Sequence, residues 1–343
     1  MEIQEYLKYR VDLLNESKDE DGFINESNFI NSIIPSILDA KLIDTEDFTE
    51  TYYSTEIDGS PIKINGYIIN DSKERLQLFI LNDESISLDV KNIEISLKEY
   101  YDSIFKKATN FANKAIKGHL NDIQDIGAIN ALINQMSSSL GADQFDVVEI
   151  FLVTATATVS GSGLTAQPKR MDFRDEKVKI RYTKNRESIE KEILILKRLV
   201  DLNFLYSVLI SQGNREALTI NFEEQFDFKI EAIKAADETN FESYLCVLPA
   251  KILAELYKRF SSRLLEKNVR SFLQFRGVNL GMRRTLTKDP EKFIAFNNGL
   301  TITASNKEIE TIKDKIYIKS LSDFQIVNGG QTTASIDFSQ KHG

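Results

Sequence analysis

The chain has 343 residues, of which 42% are hydrophobic and 28% charged, and its formal net charge is −9. This length and balance predict a globular protein of two or three domains, and no apolar run approaches the roughly 20 residues of a membrane span. One cysteine and two histidines exclude a disulfide framework and a histidine-based zinc site. The acidic N-terminus lacks the features of a signal peptide, so we expect a cytoplasmic protein without membrane contacts.

The charge is unevenly distributed along the chain. Residues 1–60 carry fifteen Asp and Glu against four Lys and Arg, whereas residues 250–284 carry nine Lys and Arg against two Glu. An acidic protein is a poor general binder of nucleic acid, but a local basic segment is sufficient for phosphate contacts. The basic segment is therefore where a nucleic-acid site is expected.

The first 117 residues have the pattern of helices, then β-hairpins, then a helix. Apolar residues recur at helical spacing in residues 1–15 and again after Asn25. From Thr51 the period becomes two, with polar turns at 58–61 and 70–73, which predicts a β-meander. Helical spacing returns over Ser96–Ile116.

This order of elements resembles the core of PD-(D/E)XK nucleases. That core carries an acid on its second strand and Glu or Gln, any residue and Lys on its third, and the carboxylates hold Mg²⁺, which activates water. Here Asn65 takes the second-strand position, and Gln77-Leu78-Phe79 is the best third-strand match. The resemblance implies a degenerate site that needs Mg²⁺ only if the chain is an active nuclease. A plain α+β domain unrelated to nucleases is the alternative.

The middle of the chain is predicted to alternate strands and helices. The β-branched run Phe145–Val159 predicts a central strand, and Val178–Tyr182 a shorter one. Apolar residues every three or four positions over Ser188–Ser211 predict an amphipathic helix. The glycines of Ser160–Gly163 do not complete a nucleotide-binding fingerprint.

A basic helix is predicted over Ala250–Lys267, where cationic side chains recur every four residues. Such a stripe suits phosphate contacts, and each contact would release about one counterion. A solvated face, or ion pairing with the acidic N-terminal region, explains it equally. The candidate nucleic-acid-binding residues in and beyond this helix are Arg259, Arg263, Lys267, Arg270, Arg276, Arg283 and Arg284.

Two Asn/Gly corners follow the basic helix. The first, Asn297-Asn298-Gly299, lies between the predicted strands 293–296 and 300–303, and turn chemistry alone explains an Asn-Gly hairpin there. The second, Asn328–Thr333, is predicted to lead from the strand Phe324–Val327 into a helix through a glycine loop. Free backbone N–H groups at such a corner can bind an anion or a base edge, and a tight buried turn is the alternative.

At this stretch the sequence closely resembles the AIPR family, the abortive infection phage resistance proteins of bacteria. Matching pieces include Leu265–Arg270, Pro290–Phe293, Asn297–Ile302 and Gln325–Thr332, in family order and spacing. Members usually continue past the last piece, so the chain, which ends twelve residues after Gln331, is expected to be truncated. The motif residues that the resemblance marks are Asn279, Asn297, Asn298, Gly299, Gln325, Asn328, Gly329, Gly330, Gln331 and Thr332.

Together these features predict a mixed α/β (α+β) protein of three domains. Residues 1–117 would form a restriction-endonuclease-like domain, 118–240 a middle α/β region and 241–343 the AIPR core. The resemblance implies antiphage defence. The favoured hypothesis is a non-catalytic or externally activated protein that engages DNA, RNA or a phage component through the basic helix and the Asn/Gly loops. The alternatives are a Mg²⁺-dependent nuclease and a scaffold that forms a homo-oligomer or binds other defence proteins.

Overall fold

The computed structural model describes residues 3–121, 127–163, 166–210, 217–264, 285–286, 288–296 and 298–342. The chain divides into two compact units, Met1–Arg215 (unit 1) and Glu216–Gly343 (unit 2). Both units combine helices and strands, which confirms the predicted mixed α/β class. None of the described helices has the length and apolar character needed to cross a bilayer.

Unit 1 contains six of the described α-helices and nine strands. The helices are α1 (Ile3–Glu16), α2 (Glu26–Asp39), α3 (Lys98–Ile116), α4 (Ala128–Ser137), α5 (Ser139–Gln144) and α6 (Leu202–Ile210). The strands are β1 (Thr49–Ile57), β2 (Ser60–Ile69), β3 (Arg75–Leu81), β4 (Glu94–Ile95), β5 (Val147–Val153), β6 (Ala157–Ser160), β7 (Gln167–Pro168), β8 (Glu176–Lys184) and β9 (Glu187–Val200). A short 3₁₀ turn, Asp83–Ile86, follows β3.

Six of these strands form one mixed sheet in the order β1-β2-β3-β5-β9-β8. The meander β1-β2-β3 is antiparallel, as predicted, whereas β3, β5 and β9 run parallel to one another. Parallel neighbours need a crossover connection, and α3 lies in the one between β3 and β5. The order α2-β1-β2-β3-α3-β5 is the one on which the nuclease comparison rests.

Both faces of the large sheet are covered. On one face, Phe79 and Phe151 pack with apolar residues of α1, α2 and α6. On the other, Ile64 and Ile150 pack with residues of α3 and α4. All seven residues of β5 are buried, so Val147–Val153 forms a central strand within the predicted run Phe145–Val159. The end of that run forms β6, which pairs with β4 and β7 in a separate sheet.

The segment Ser188–Ser211 is not the amphipathic helix that its spacing predicted. Most of it is β9, which lies between β5 and β8, and only Leu202–Ile210 is helical. The run Ile193–Leu196 is buried at every position. An interior strand covered on both faces reads as a continuous apolar run, and a continuous run also satisfies helical spacing.

Unit 2 contains four described α-helices and seven strands. The helices are α7 (Phe222–Phe226), α8 (Ala250–Phe260), α9 (Phe293–Phe296) and α10 (Gly330–His342). The strands are β10 (Ile220–Asn221), β11 (Ile230–Asp237), β12 (Glu242–Cys246), β13 (Thr301–Thr303), β14 (Asn306–Ile312), β15 (Lys315–Ser322) and β16 (Gln325–Asn328). The sheet order is β10-β15-β11-β12 with β14 also on β15, and β13 pairs β16 separately.

The first Asn/Gly corner is not a hairpin turn. Phe293–Phe296 forms a helical turn instead of the predicted strand, and β13 pairs with β16. Gly299 lies outside the left-handed φ region that an Asn-Gly type I′ turn needs at both central residues. The second corner does lead from a strand into a helix, as predicted.

The units do not follow the expected domain boundaries. Position 117 lies inside unit 1, because the crossover through α3 returns the chain to the same sheet as β5. Position 240 lies inside unit 2, in the connection between the paired strands β11 and β12.

Candidate functional site

Asn65 lies where β2 and β3 separate. The two strands pair from Ile69 opposite Leu76 to Gly66 opposite Phe79, and Asn65 is the next residue of β2. Beyond the last paired residues, a side-chain hydrogen bond takes the place of the backbone hydrogen bonds between the strands: Asn65 Oδ1 accepts the N–H of Leu81 at 2.9 Å. The neighbouring glycine is required, because a Cβ on Gly66 would lie 2.3 Å from the Phe48 ring.

The register places Ile80-Leu81-Asn82 beside Asn65, and not Gln77-Leu78-Phe79. Gln77 pairs opposite Ile68, further along the strand, where its Nε2 donates to the Leu42 carbonyl at 2.8 Å. Gln77 is therefore not the third-strand counterpart of Asn65. Residues facing each other across strands are determined by the pairing register, which sequence spacing alone does not reveal.

A buried lysine joins two carboxylates at this point. The Lys63 side chain is 5% exposed, and its Nζ pairs with Asp83 of the 3₁₀ turn. It also lies 3.7 Å from Glu26 Oε2, at the start of α2, and donates to the Leu81 carbonyl at 3.4 Å. Asn65 Nδ2 donates to Glu26 as well. We call Glu26, Lys63, Asn65 and Asp83 the Lys63 cluster.

The two carboxylates of the Lys63 cluster outnumber its single cation. Burial raises the pKa of Glu26; Lys63 opposes the rise, while the nearby charge of Asp83 adds to it. An ammonium ion stabilises one carboxylate fully and a second only partly, and like charges disfavour ionisation of both. The cluster therefore favours a proton on Glu26 above the pH at which an ordinary glutamate loses it.

The residues at the nuclease positions do not fit a hard cation. The oxygen of Asn65 already accepts the Leu81 N–H, and Ile80 is fully buried in the apolar core beneath α3. Asn82 uses its amide as a donor to Tyr100 Oη at 2.8 Å and Thr154 Oγ1 at 3.1 Å. Within the described ranges, no group of three His, Cys, Asp or Glu is placed to hold a metal.

A second ionic cluster lies on the same sheet. Glu149 of β5 is buried and accepts from Arg75 at 3.0 Å, from Gln77 at 3.2 Å and from Arg198. Burial alone would raise the pKa of Glu149, but the two arginines and the Gln77 hydrogen bond outweigh it and lower the pKa. We call these four residues the Glu149 cluster.

The motif loops of unit 2 come together at the pair of β13 and β16. Thr301 lies opposite Asn328, so the Asn298-Gly299 corner and the Asn328–Gly330 corner are neighbours. Gly329 has φ +95°, and a Cβ there would lie 2.1 Å from Leu300 Cδ2. Its carbonyl accepts from the N–H of Thr333 at 3.0 Å and from Thr333 Oγ1 at 3.1 Å. Close packing thus explains this glycine.

Comparison with protein families then decides the kind of protein. The model of the abortive infection phage resistance protein N-terminal domain matches residues 29–181, and the AIPR protein model matches residues 265–343. The chain belongs to the AIPR family. Membership supports a role in phage resistance by abortive infection. No curated protein and no solved structure matches the chain.

The two AIPR matches cover most of the Lys63 cluster and the motif loops at β13 and β16. Lys63, Asn65 and Asp83 lie inside the N-terminal match, and Glu26 lies just before it. The paired loops of β13 and β16 lie inside the second match. Of the motif residues, Asn279 and Asn297 fall outside the described residues, as does the side chain of Gln331. Thr332 is buried, and Gln325 Nε2 donates to Asp323.

The described part of the basic helix offers less exposed charge than its sequence suggested. Arg263 is only 4% exposed. Arg259 Cζ lies 5.7 Å from the centre of the Phe226 ring, and its Nε lies 3.8 Å from Glu255 Oε2. The remaining candidates lie outside the described residues; they are Lys267, Arg270, Arg276, Arg283 and Arg284.

Sequence reasoning missed three members of the Lys63 cluster. Glu26, Lys63 and Asp83 were not among the candidate site residues drawn from the sequence. One signal was present: Glu26 follows the Asn25 cap, whose side chain accepts from Asn28 N, so its position at the tip of α2 was predictable. What brings the tip of α2 to β2 is tertiary packing.

Proposed function

We propose that this AIPR-family protein acts in phage defence as a binding protein whose nuclease-like unit does not cleave nucleic acid. One observation carries the proposal: at the point where β2 and β3 separate, Asn65 faces Ile80-Leu81-Asn82. PD-(D/E)XK nucleases need an acid on the second strand of the meander at that point, and Glu or Gln, any residue and Lys on the third strand. Residues 65 and 80–82 are of none of these types, and the acids and the lysine nearby, Glu26, Asp83 and Lys63, pair with one another.

The surrounding residues support the same conclusion. The nearest carboxylates, Glu26 and Asp83, are already engaged by Lys63. A bound Mg²⁺ would supply activation of water, but Asn65 offers it only a neutral amide oxygen that already accepts a hydrogen bond, in place of a carboxylate. Placing an acid at residue 80 would bury a charge in the core beneath α3, which is strongly unfavourable. The present residues therefore favour a closed, internally paired cluster.

Engagement of nucleic acid is assigned to the basic segment of unit 2. Its support is the excess of nine Lys and Arg over two Glu in residues 250–284. Arg263 is removed from this surface by burial, and Arg259 is half-buried against Phe226. The proposal therefore rests on Lys267, Arg270, Arg276, Arg283 and Arg284, with DNA or RNA as the partner.

A scaffold role is the second candidate, and one observation favours it. Ile233 of β11 and Leu245 of β12 are direct cross-strand partners, and each is 69% exposed. Val247 continues the row at 70% exposure. Exposed apolar groups arranged together are typical of surfaces that bind another protein. The partner would be another defence protein or a second copy.

Cleavage assays test the central proposal. Purified full-length protein is incubated with single- and double-stranded DNA and RNA in millimolar Mg²⁺ or Mn²⁺, beside Asp83→Asn, Glu26→Gln and the surface control Asp58→Asn. No cleavage above background is expected from any of them. Cation-dependent cleavage by the wild type and the control that disappears in both cluster variants contradicts the proposal.

Salt-dependent binding tests the assignment to the basic segment. The slope of log K against log salt should become shallower by about two when Arg270 and Arg284 are both replaced by alanine. The matched control replaces Arg174 and Arg186, two exposed arginines of unit 1, and should leave the slope unchanged. Absence of binding at low salt, together with a discrete oligomer, favours the scaffold role instead.

A further inference from the structure

We propose that Glu26, Asp83 and the carbonyl of Leu81 form a cation site whose resident cation is the ammonium group of Lys63. The inference rests on the proposed non-cleaving function and explains it: a divalent cation enters the site only when the ammonium is removed. The lysine thus occupies the place that a metal ion would otherwise take between these three oxygens.

The first support is convergence. Three oxygens from three different elements meet at Lys63 Nζ: one from the tip of α2, one from the 3₁₀ turn and one from the end of β3. Glu26 lies 3.7 Å and the Leu81 oxygen 3.4 Å from the nitrogen, and Asp83 is closer. An ordinary ion pair joins two groups, whereas here one cation holds three segments.

The second support is the chemistry of the oxygens. Two carboxylates and a backbone carbonyl are the ligands that hard cations such as Mg²⁺ and Ca²⁺ take from proteins. Mg²⁺ commonly uses one or two carboxylates and keeps several waters. An ammonium ion carries three donors and one charge, so it satisfies three oxygens while neutralising only one carboxylate.

The third support is enclosure. The lysine side chain is buried, and the exposed ring of Tyr52 lies over Nζ with its centre 5.6 Å away. Asn65 closes another side, because Oδ1 is fixed by the Leu81 N–H and Nδ2 points its donor at Glu26. A cation held in this way exchanges with solution cations only if the side chain leaves.

Cation rescue tests the inference. Thermal unfolding of full-length Lys63→Ala is followed with and without millimolar Mg²⁺, Ca²⁺ or Mn²⁺, and Mn²⁺ binding is measured by titration calorimetry. Lys63→Ala should bind at least one of these ions, and its Tm should rise by about 4 °C at tenfold excess over Kd. Wild type should neither bind nor shift.

Two controls define the site. Lys63→Ala combined with Asp83→Asn should lose the shift, because one carboxylate is then neutral. Lys114→Ala removes a lysine that pairs with Asp58 at the surface of the same unit, and it should gain no cation binding. If Lys63→Ala does not fold alone, it is refolded with Ca²⁺ or Mn²⁺, and recovery only with the ion supports the inference.

Clear outcomes overturn it. One is wild type that binds a divalent cation as tightly as Lys63→Ala does. Another is a cation-dependent Tm shift that remains when Asp83→Asn is added to Lys63→Ala. The third is that neither Lys63→Ala nor Lys63→Met binds a cation or is refolded by one. The readout is cation binding, so these outcomes leave the proposed function standing. Cleavage by the wild type would instead overturn the proposed function.

Discussion

The Lys63 and Glu149 clusters occupy the same sheet and use the same kinds of side chain, yet they hold their acids differently. In the Glu149 cluster, one carboxylate lies between two arginines and its pKa is lowered. In the Lys63 cluster, two carboxylates share one lysine and the pKa of Glu26 is raised. Burial opposes ionisation in both, so the ratio of cations to acids decides the outcome.

This difference separates a structural cluster from a candidate functional one. A carboxylate with two arginine partners has no reason to bind anything else, and it ties β3, β5 and β9 together. A pair of carboxylates with one ammonium is short of positive charge, which favours a proton on Glu26 and, once Lys63 is removed, a metal ion. The comparison can be tested by changing the ratio in each cluster.

The largest effect is expected for Glu149→Gln. Removing the carboxylate leaves the Arg75 and Arg198 charges in a buried site, and breaking a buried pair in this way costs about 3–5 kcal/mol. Urea unfolding at pH 7 measures the change, with Glu190→Gln on the exposed pair with Arg181 as control. A loss no larger than that of the control would contradict the role given to Glu149.

The next effect is expected for Lys63→Met, which leaves two neighbouring carboxylates without their cation. We expect a loss of about 2 kcal/mol at pH 7, less than for a fully buried pair because Asp83 is half exposed. The loss should be smaller at acidic pH than at pH 7, because protonation of Glu26 relieves the repulsion. An equal loss at both pH values would show that the two acids do not compete for Lys63.

Asp201 extends the comparison to an acid stabilised by hydrogen bonds. It is buried and accepts from the N–H groups of Phe204 and Thr158, each at 3.0 Å. Burial raises the pKa of Asp201 to about 6. The folded chain then binds a proton more readily than the unfolded chain, so stability is present at low pH and lost as pH rises through about 6.

The corresponding variant is Asp201→Asn, which does not titrate. Between pH 5 and pH 8, wild type should lose about 1.4 kcal/mol more stability than this variant, whatever their absolute difference. Urea unfolding of both proteins at the two pH values gives the comparison. Parallel pH profiles would contradict the raised pKa of Asp201.

The smallest effect is expected for Glu26→Gln. It removes the surplus acid but keeps an oxygen that can accept from Asn65, so stability at pH 7 should change by less than about 1 kcal/mol. Because the pKa of Glu26 is raised, its ionisation costs stability as pH rises, and the variant should gain on wild type towards pH 8. A large loss at pH 8 would mean that Glu26 is needed as an anion.

Sequence patterns were sufficient for the meander and for β5, because period-two alternation and β-branched runs report strands directly. They failed for β9, where four buried apolar residues in succession, Ile193–Leu196, imitate helical spacing. The strand predicted at Phe293–Phe296 was wrong for a different reason. The Asn-Gly pair suggested a hairpin between neighbouring segments, whereas β13 pairs with β16, which lies more than twenty residues further along the chain.

The candidate site was predictable only in part. Asn65 was identified because its position in the predicted second strand follows from the residue pattern of the neighbouring sequence. Its true neighbours were not, because the register puts Leu81 beside it, and because Glu26 and Asp83 are brought to Lys63 from other elements. The sequence shows that the nuclease carboxylate is missing at Asn65. Which side chains surround that position instead depends on how the elements pack, and the sequence alone does not reveal it.

Paramagnetic broadening by Mn²⁺ tests the central claim most directly. In deuterated full-length wild type, the Leu81 backbone amide and the Asn65 side-chain amide lie at the Lys63 cluster, and their NMR signals are followed as Mn²⁺ is added. If Lys63 is the resident cation, both signals should persist at millimolar Mn²⁺ and broaden only in Lys63→Ala. Selective broadening of both signals in wild type would show that the site accepts a metal ion with its lysine in place, and would contradict the claim.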